Sequence, residues 1–219
     1  NEDVKFERVR VRQALAHETR PDQRKMELAE IADKAGREAR GLASATELWI
    51  NGQLTPYPEG FGIVPRAGFC ELDPSLQRRV LLQLIQTYGA GSRAEPGELD
   101  HLSKWIMGQE LSRRTLGGAV LARRQASVLI GREWARISPV PAIVPDAGEV
   151  LWDGRFLVLA PVNSQIVPVG SLKAVARRED IPSFVQKSLP AVLLGDGGVA
   201  IPHLGLGSGV SAKFMRYLR

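Results

Sequence analysis

An α+β fold with its helices ahead of its strands is what this sequence predicts: an N-terminal helical subdomain with a β-hairpin, then a small β-rich C-terminal domain. Three observations carry the prediction. Apolar residues recur at helical spacing in most segments up to Gly108. From Arg113 onward the pattern changes to short apolar runs punctuated by glycine. No alternation of strand and helix runs along the chain, as a parallel sheet would require, and no repeat of fixed period is present.

The elements follow in order. Residues 1–17 read as a short basic helix with Phe6, Val9 and Leu15 on its apolar side, although Arg8, Arg10 and Arg12 alternate with Val9 and Val11 as in a strand. Pro21 and Asp22 suit a first helical turn, and Leu28, Ile31, Ala32, Ala35, Ala39 and Leu42 extend that helix to about residue 45. Its charged polar face is that of a surface helix. Gly52, Pro56, Pro58 and Gly60 break it, and FGIVPRAGFCEL reads as a short extended pair around Pro65 to Gly68. Asp73-Pro74 is a cap and first-turn pair for a helix carrying Leu76, Val80, Leu81, Leu84, Ile85 and Tyr88, ended by Gly89. Leu99, Leu102, Trp105 and Ile106 give one more helix, ended near Gly108.

RRTLGGAVLARR and SVLIGREW then flank a tight turn near Gln125 and Ala126. PVPAIVP, with three prolines, reads as a linker or domain boundary at 139–145. Asp153-Gly154 between EVLW and RFLVLA signals a hairpin with a type I′ turn. LKAVARRED reads as a short helix, and AVLL-GDGG-VAIP as a second hairpin.

Composition excludes several classes. The 219 residues contain no apolar run long enough to span a bilayer and no secretory signal pattern, so a cytoplasmic protein is expected. One cysteine, Cys70, forbids an internal disulfide, and His17, His101 and His203 lack ligand spacing, so no metal site is expected. The chain starts at Asn1 and is expected to be a piece of a longer protein.

The charge is uneven. Net charge is +5, and Arg outnumbers Lys 22 to 7, a skew that suits phosphate contact and that GC-rich codons would also produce. Residues 112–136 hold six basic residues and one acidic, matching the whole excess. A local patch of this kind is the footprint of a phosphate-backbone binder. The candidate nucleic-acid-binding residues form three clusters: Arg8, Arg10 and Arg12; Arg113, Arg114, Arg123 and Arg124, with Arg132 close by; and Lys173, Arg177 and Arg178. Arg123 and Arg124 are expected at an exposed strand end beside the turn. Such contacts position an RNA without reading its bases.

No catalytic constellation emerges from the residues. Cys70 has no placeable partners and reads as a small core residue. GLGSGVS at 205–211 matches no phosphate-loop pattern and reads as a loop, and GDGG at 195–198 as a turn. The four tryptophans sit mostly in apolar registers, where core roles outweigh base stacking.

Three patches resemble the tRNA(Ile)-lysidine synthetase family in its alphaproteobacterial style. NEDVKFERVRVRQAL looks like the segment that closes the family's catalytic domain. RRTLGGAVLARR, followed by Gly131-Arg132-Glu133, looks like the hairpin after its helical subdomain. REDIPSFVQKSLPAVLLGDGGVAIP is similar to its last domain. Val9 stands where the family often has Asn, Gln186 where it usually has Arg, and the ATP-pyrophosphatase signature S-G-G-x-D-S is absent. The resemblance implies residues 1–18 as the end of the catalytic domain and a linker helix, 19–138 as a helical substrate-binding domain ending in a basic hairpin, and 148–219 as a β-rich domain. It also implies an ATP-dependent ligase, needing magnesium, that attaches lysine to the wobble cytidine of the CAU anticodon of an isoleucine tRNA. This part would hold the tRNA and be inactive alone, with no catalytic residue or cofactor of its own. Its partners would be that tRNA, its own N-terminal catalytic domain and a possible second copy. Arg8 and Arg12 would face ATP or RNA phosphates, or pair with Glu2, Glu7 or Glu18. The alternative is a docking module for the catalytic domain or a dimer partner, suggested by apolar edges around EVLW and AVLL.

Overall fold

A computed structural model of the chain describes residues 21–91, 93–146, 148–173, 175 and 177–215. Arg8, Arg10 and Arg12 lie outside the described residues. Packing divides the chain between Glu47 and Leu48, so the expected linker at 139–145 falls inside the second unit.

Helix α1 (Pro21–Gln53) starts at the Pro21-Asp22 pair and outlasts its expected end near residue 45. In the first unit it is exposed along most of its length, with Met26 and Ile31 open to solvent and an Arg24–Glu27 pair at 3.1 Å on its surface. In the second unit Trp49 and Ile50 pack into a core. That burial outweighs the roughly 1 kcal/mol cost of Gly52 in a helix.

The second unit is built on antiparallel sheets. Strands β1 (Thr55–Tyr57), β2 (Phe61–Pro65), β3 (Arg113–Leu116), β4 (Ala119–Arg123) and β5 (Ser127–Arg132) form a five-stranded sheet ordered β1-β2-β5-β4-β3. Helices α2 (Arg66–Cys70), α3 (Pro74–Tyr88) and α4 (Pro96–Met107) bury Phe69, Leu81, Ile85 and Ile106 with Val64, Leu121, Val128 and Ile130 of this sheet. Asp73 caps α3 as expected, its Oδ1 accepting from the backbone N–H groups of Ser75 and Leu76.

A second core lies between two smaller sheets. One is ordered β11-β10-β9-β6, from β6 (Ala142–Ile143), β9 (Gln165–Pro168), β10 (Pro190–Leu193) and β11 (Val199–Ala200). The other is ordered β12-β8-β7, from β7 (Glu149–Trp152), β8 (Phe156–Leu159) and β12 (Ser211–Phe214). Phe156, Val158, Ile166, Leu189 and Val192 are wholly buried here. The Asp153-Gly154 hairpin forms, both residues at positive φ. Short helix α5 (Ser183–Gln186) lies on the open face of the five-stranded sheet, where Val185 joins Phe61 and Ile181.

Five local expectations are corrected. Beyond β2, Arg66–Cys70 is helical rather than extended, because Phe69 is drawn into the first core. RRTLGGAVLARR is two strands, since Gly117 and Gly118 both take positive φ and fold β3 back onto β4. The proline-rich 139–145 segment is not a bare linker: Ala142 and Ile143 pair with Ile166 and Gln165, and Val144 is fully buried. The described residues of LKAVARRED are not helical. The Gln186 amide instead holds the end of the segment, its Oε1 accepting from the Arg178 N–H and its Nε2 donating to the Arg178 and Ile181 carbonyls. Finally, Cys70 is exposed at the end of α2 rather than a core residue.

Candidate nucleic-acid interface

Strand β3 is an edge, and its alternation sends Arg113 and Arg114 to opposite faces of the sheet. Both side chains are exposed. Arg113 pairs in register with Ala122, and its guanidinium lies 5.3 Å from the centre of the Phe184 ring on α5. Arg124 is exposed in the β4–β5 turn, its N–H donating to the Ser127 carbonyl. Arg66 braces that turn by donating to the Gln125 and Gly108 carbonyls; the sequence reading missed it because it stands far away in the chain.

Arg123 is a correction. It is 4% exposed, on the helix-facing side of β4, rather than at an open edge. Its guanidinium lies over the Trp105 ring at 5.2 Å and donates to the Trp105 carbonyl. Gly108 leaves the room: a Cβ there would come within 2.9 Å of Arg123 Nη1. The stack on Trp105 offsets burial of the cation.

Arg132 is also buried, and its donors are committed. Nε and Nη2 grip both oxygens of Asp153 at 3.0 Å, while Nη1 donates to the Gly89 and Gly118 carbonyls. Asp153 also accepts from Arg155 Nε at 2.7 Å. Arg155 is wholly buried, and burial pulls its guanidinium down to about 10 against the pull of Asp153. This trio joins the two cores and is a structural fastening.

The third cluster borders a cleft of about 230 Å³ between residues 169–177 and α5. Lys173 and Arg177 line it, together with Lys187, which the sequence reading passed over. Trp134, 40% exposed, stands beside it: the Lys187 ammonium lies 5.8 Å from the ring centre, and the indole rests on Gly170, a lining residue. Arg178 is occupied differently. It is paired with Asp180 and donates to the His203 carbonyl at 2.9 Å. The hydrogen bond to Arg178 holds the Asp180 carboxyl below its ordinary range. Gln186 is buried and holds the 178–181 loop, so its amide is turned inward.

Arg113 thus meets α5 at Phe184, and the cleft lined by Lys173 and Arg177 borders the same helix at Ser183 and Gln186, with Arg114 on the β3 edge and Arg124 in the β4–β5 turn. Of the tryptophans, Trp152 is buried and Trp49 and Trp105 pack against the first core, whereas Trp134 is open. The glycine-rich segment 205–211 runs into β12 rather than into a helix. Burial pushes the His203 imidazole below its ordinary value, partly opposed by Glu59. Among the described residues no group of His, Cys, Asp and Glu could hold a metal ion, and no helix is long and apolar enough to cross a membrane.

Fold and surface thus define an α+β protein with exposed arginines along a sheet edge and a cationic cleft nearby. Over 97% of its length the chain is 28% identical to the tRNA(Ile)-lysidine synthase of Ruegeria pomeroyi, covering 51% of that protein. It is also 28% identical, over 61% of its length, to the tRNA(Ile)-lysidine synthase of Methylobacterium nodulans, covering 42% of it. No family model matches. The resemblance read from the three sequence patches therefore holds along nearly the whole chain, which spans about half the length of the curated relatives it matches.

Proposed function

We propose that this chain is the tRNA-holding part of a tRNA(Ile)-lysidine synthase, gripping the tRNA backbone through Arg113, Arg114, Arg124, Lys173 and Arg177. The whole protein would use ATP and magnesium to join lysine to the wobble cytidine of a CAU anticodon. The observation that supports the reading is that two sequence-distant basic clusters border the same short helix, Arg113 at Phe184 and the Lys173–Arg177 cleft at Ser183 and Gln186. Neighbouring, unneutralised guanidinium and ammonium groups suit a row of phosphates. The similarity to two lysidine synthases supplies the RNA class.

Binding of the chain to tRNA should show a log–log salt slope of roughly −3 to −5, as for about four to six neutralised phosphates. Replacing Arg113, Arg114 and Arg124 together with Ala should flatten the slope by about two to three units. Arg123→Ala, which removes a buried stack, should lower stability and leave the slope alone. An unchanged slope in the triple variant rejects the sheet edge as the interface.

A second reading, docking on a catalytic domain or a second copy, draws on one feature. Leu151 and Leu159 stand exposed on adjacent strands β7 and β8. The AVLL edge offers less, since Ala191 and Val192 are buried. A concentration-dependent dimer in sedimentation, with no shift of tRNA, would favour docking.

A further inference from the structure

The cleft at α5 differs in kind from the sheet edge. Arg113 and Arg114 are exposed on an edge strand and can meet the phosphates of a duplex. The cleft is recessed, with Val169, Leu172 and Val175 among its apolar lining and Lys173, Arg177 and Lys187 supplying charge. Among the described residues no carboxylate lines it. Of the two acids that follow its arginine, Asp180 is paired with Arg178, and Glu179 is exposed and is not part of the lining. Mixed apolar and cationic lining suits a ligand with both a sugar or base surface and a phosphate. A paired nucleotide cannot bury its base edge in such a recess, whereas an unpaired one can be splayed into it. Trp134 adds an aromatic surface beside the cations, with Lys187 close enough to serve either ring or phosphate.

We propose that this cleft holds one unpaired nucleotide of the bound RNA, its phosphate on Lys173, Arg177 and Lys187 and its base against Trp134. This rests on the tRNA reading and adds a single-strand subsite to it. The site needs an RNA end or loop, not a particular base sequence, because an aromatic surface accepts any base.

The test uses the full chain. AMP should quench the emission of Trp134, with the response absent in Trp134→Phe. Lys173→Ala combined with Arg177→Ala should weaken AMP about tenfold or more, as expected for lost charge-assisted hydrogen bonds. Adenosine should bind far more weakly than AMP. A hairpin RNA with a short single-stranded end should outbind its blunt counterpart, and the double variant should erase that difference while retaining binding to the blunt hairpin. Equal binding of both hairpins, or equal affinity for AMP and inorganic phosphate with no response from Trp134, would overturn the subsite and leave the tRNA reading standing. Loss of all tRNA binding by the unaltered chain would reject that reading, and this inference with it.

Discussion

At the scale of single residues, the positive charges separate into those that hold the fold and those that face solvent. Asp153 sits between two buried guanidiniums, at φ +47° in the β7–β8 turn. Asn tolerates that backbone conformation, so Asp153→Asn removes the charge and keeps the turn. It leaves Arg132 and Arg155 buried without a counter-charge. Chemical denaturation should show a loss of about 3–5 kcal/mol, the usual cost of orphaning a buried ion-pair partner. His203 gives a pH prediction. Its folded-state proton affinity is lowered by burial, so the unfolded chain binds the proton more readily. Stability should be full above about pH 6.5 and fall as pH drops through the lowered folded value. His203→Gln should remove that part of the decline in a series of melts across this range. Neither role was legible in the sequence. A count of arginines gives charge but not depth, and strand alternation alone could not say which face of β4 would meet α4.

At the scale of elements, local chemistry was legible and long-range packing was not. The Asp73 cap and the Asp153-Gly154 turn are settled within a few residues, so both could be read directly. Asp73→Ala should cost about 1 kcal/mol, measured as a shift in denaturation midpoint with unchanged slope, because two α3 N–H groups lose their acceptor. By contrast, the helix at Arg66–Cys70 carries Phe69 into the first core, and the end of the LKAVARRED segment is tied by the Gln186 amide, which bonds both backbone groups of Arg178 from eight positions away. The pairing of Ala142 and Ile143 with β9 also depends on residues more than twenty positions away. The interface divides the same way. The density of arginine near β3 was visible in the sequence. The meeting of Arg113 with Phe184, and the inclusion of Lys187 and Trp134 beside the cleft, depend on where α5 docks.

At the scale of the second unit, two cores are stitched into one body. Phe214 of β12 stacks on Tyr88 of α3 at 5.7 Å and meets Phe156 of β8 at 5.5 Å, so a single ring belongs to both cores. Gly60 makes the approach possible: it holds φ +76°, and a Cβ there would lie 2.7 Å from Phe156 and 3.1 Å from Phe214. The Arg132–Asp153 pair bridges the same division a short way off along the β7–β8 hairpin. With apolar and ionic links both in place, the two cores should unfold together. Scanning calorimetry should give one transition for this unit, with van't Hoff and calorimetric enthalpies equal. Phe214→Ala removes the shared ring. Because Phe214 is only partly buried, the loss should fall near the lower end of the roughly 3–5 kcal/mol typical of Phe→Ala. The more telling outcome is the shape of the transition. It should broaden, and the van't Hoff enthalpy should drop below the calorimetric one as the first core and the β-rich core begin to melt separately. A sharp two-state transition at lower temperature would mean that the polar trio alone couples the cores. The tRNA reading makes this coupling functional: Arg113 hangs on the first core and Lys173 with Arg177 on the second, so their spacing across α5 stays fixed only while both cores move as one.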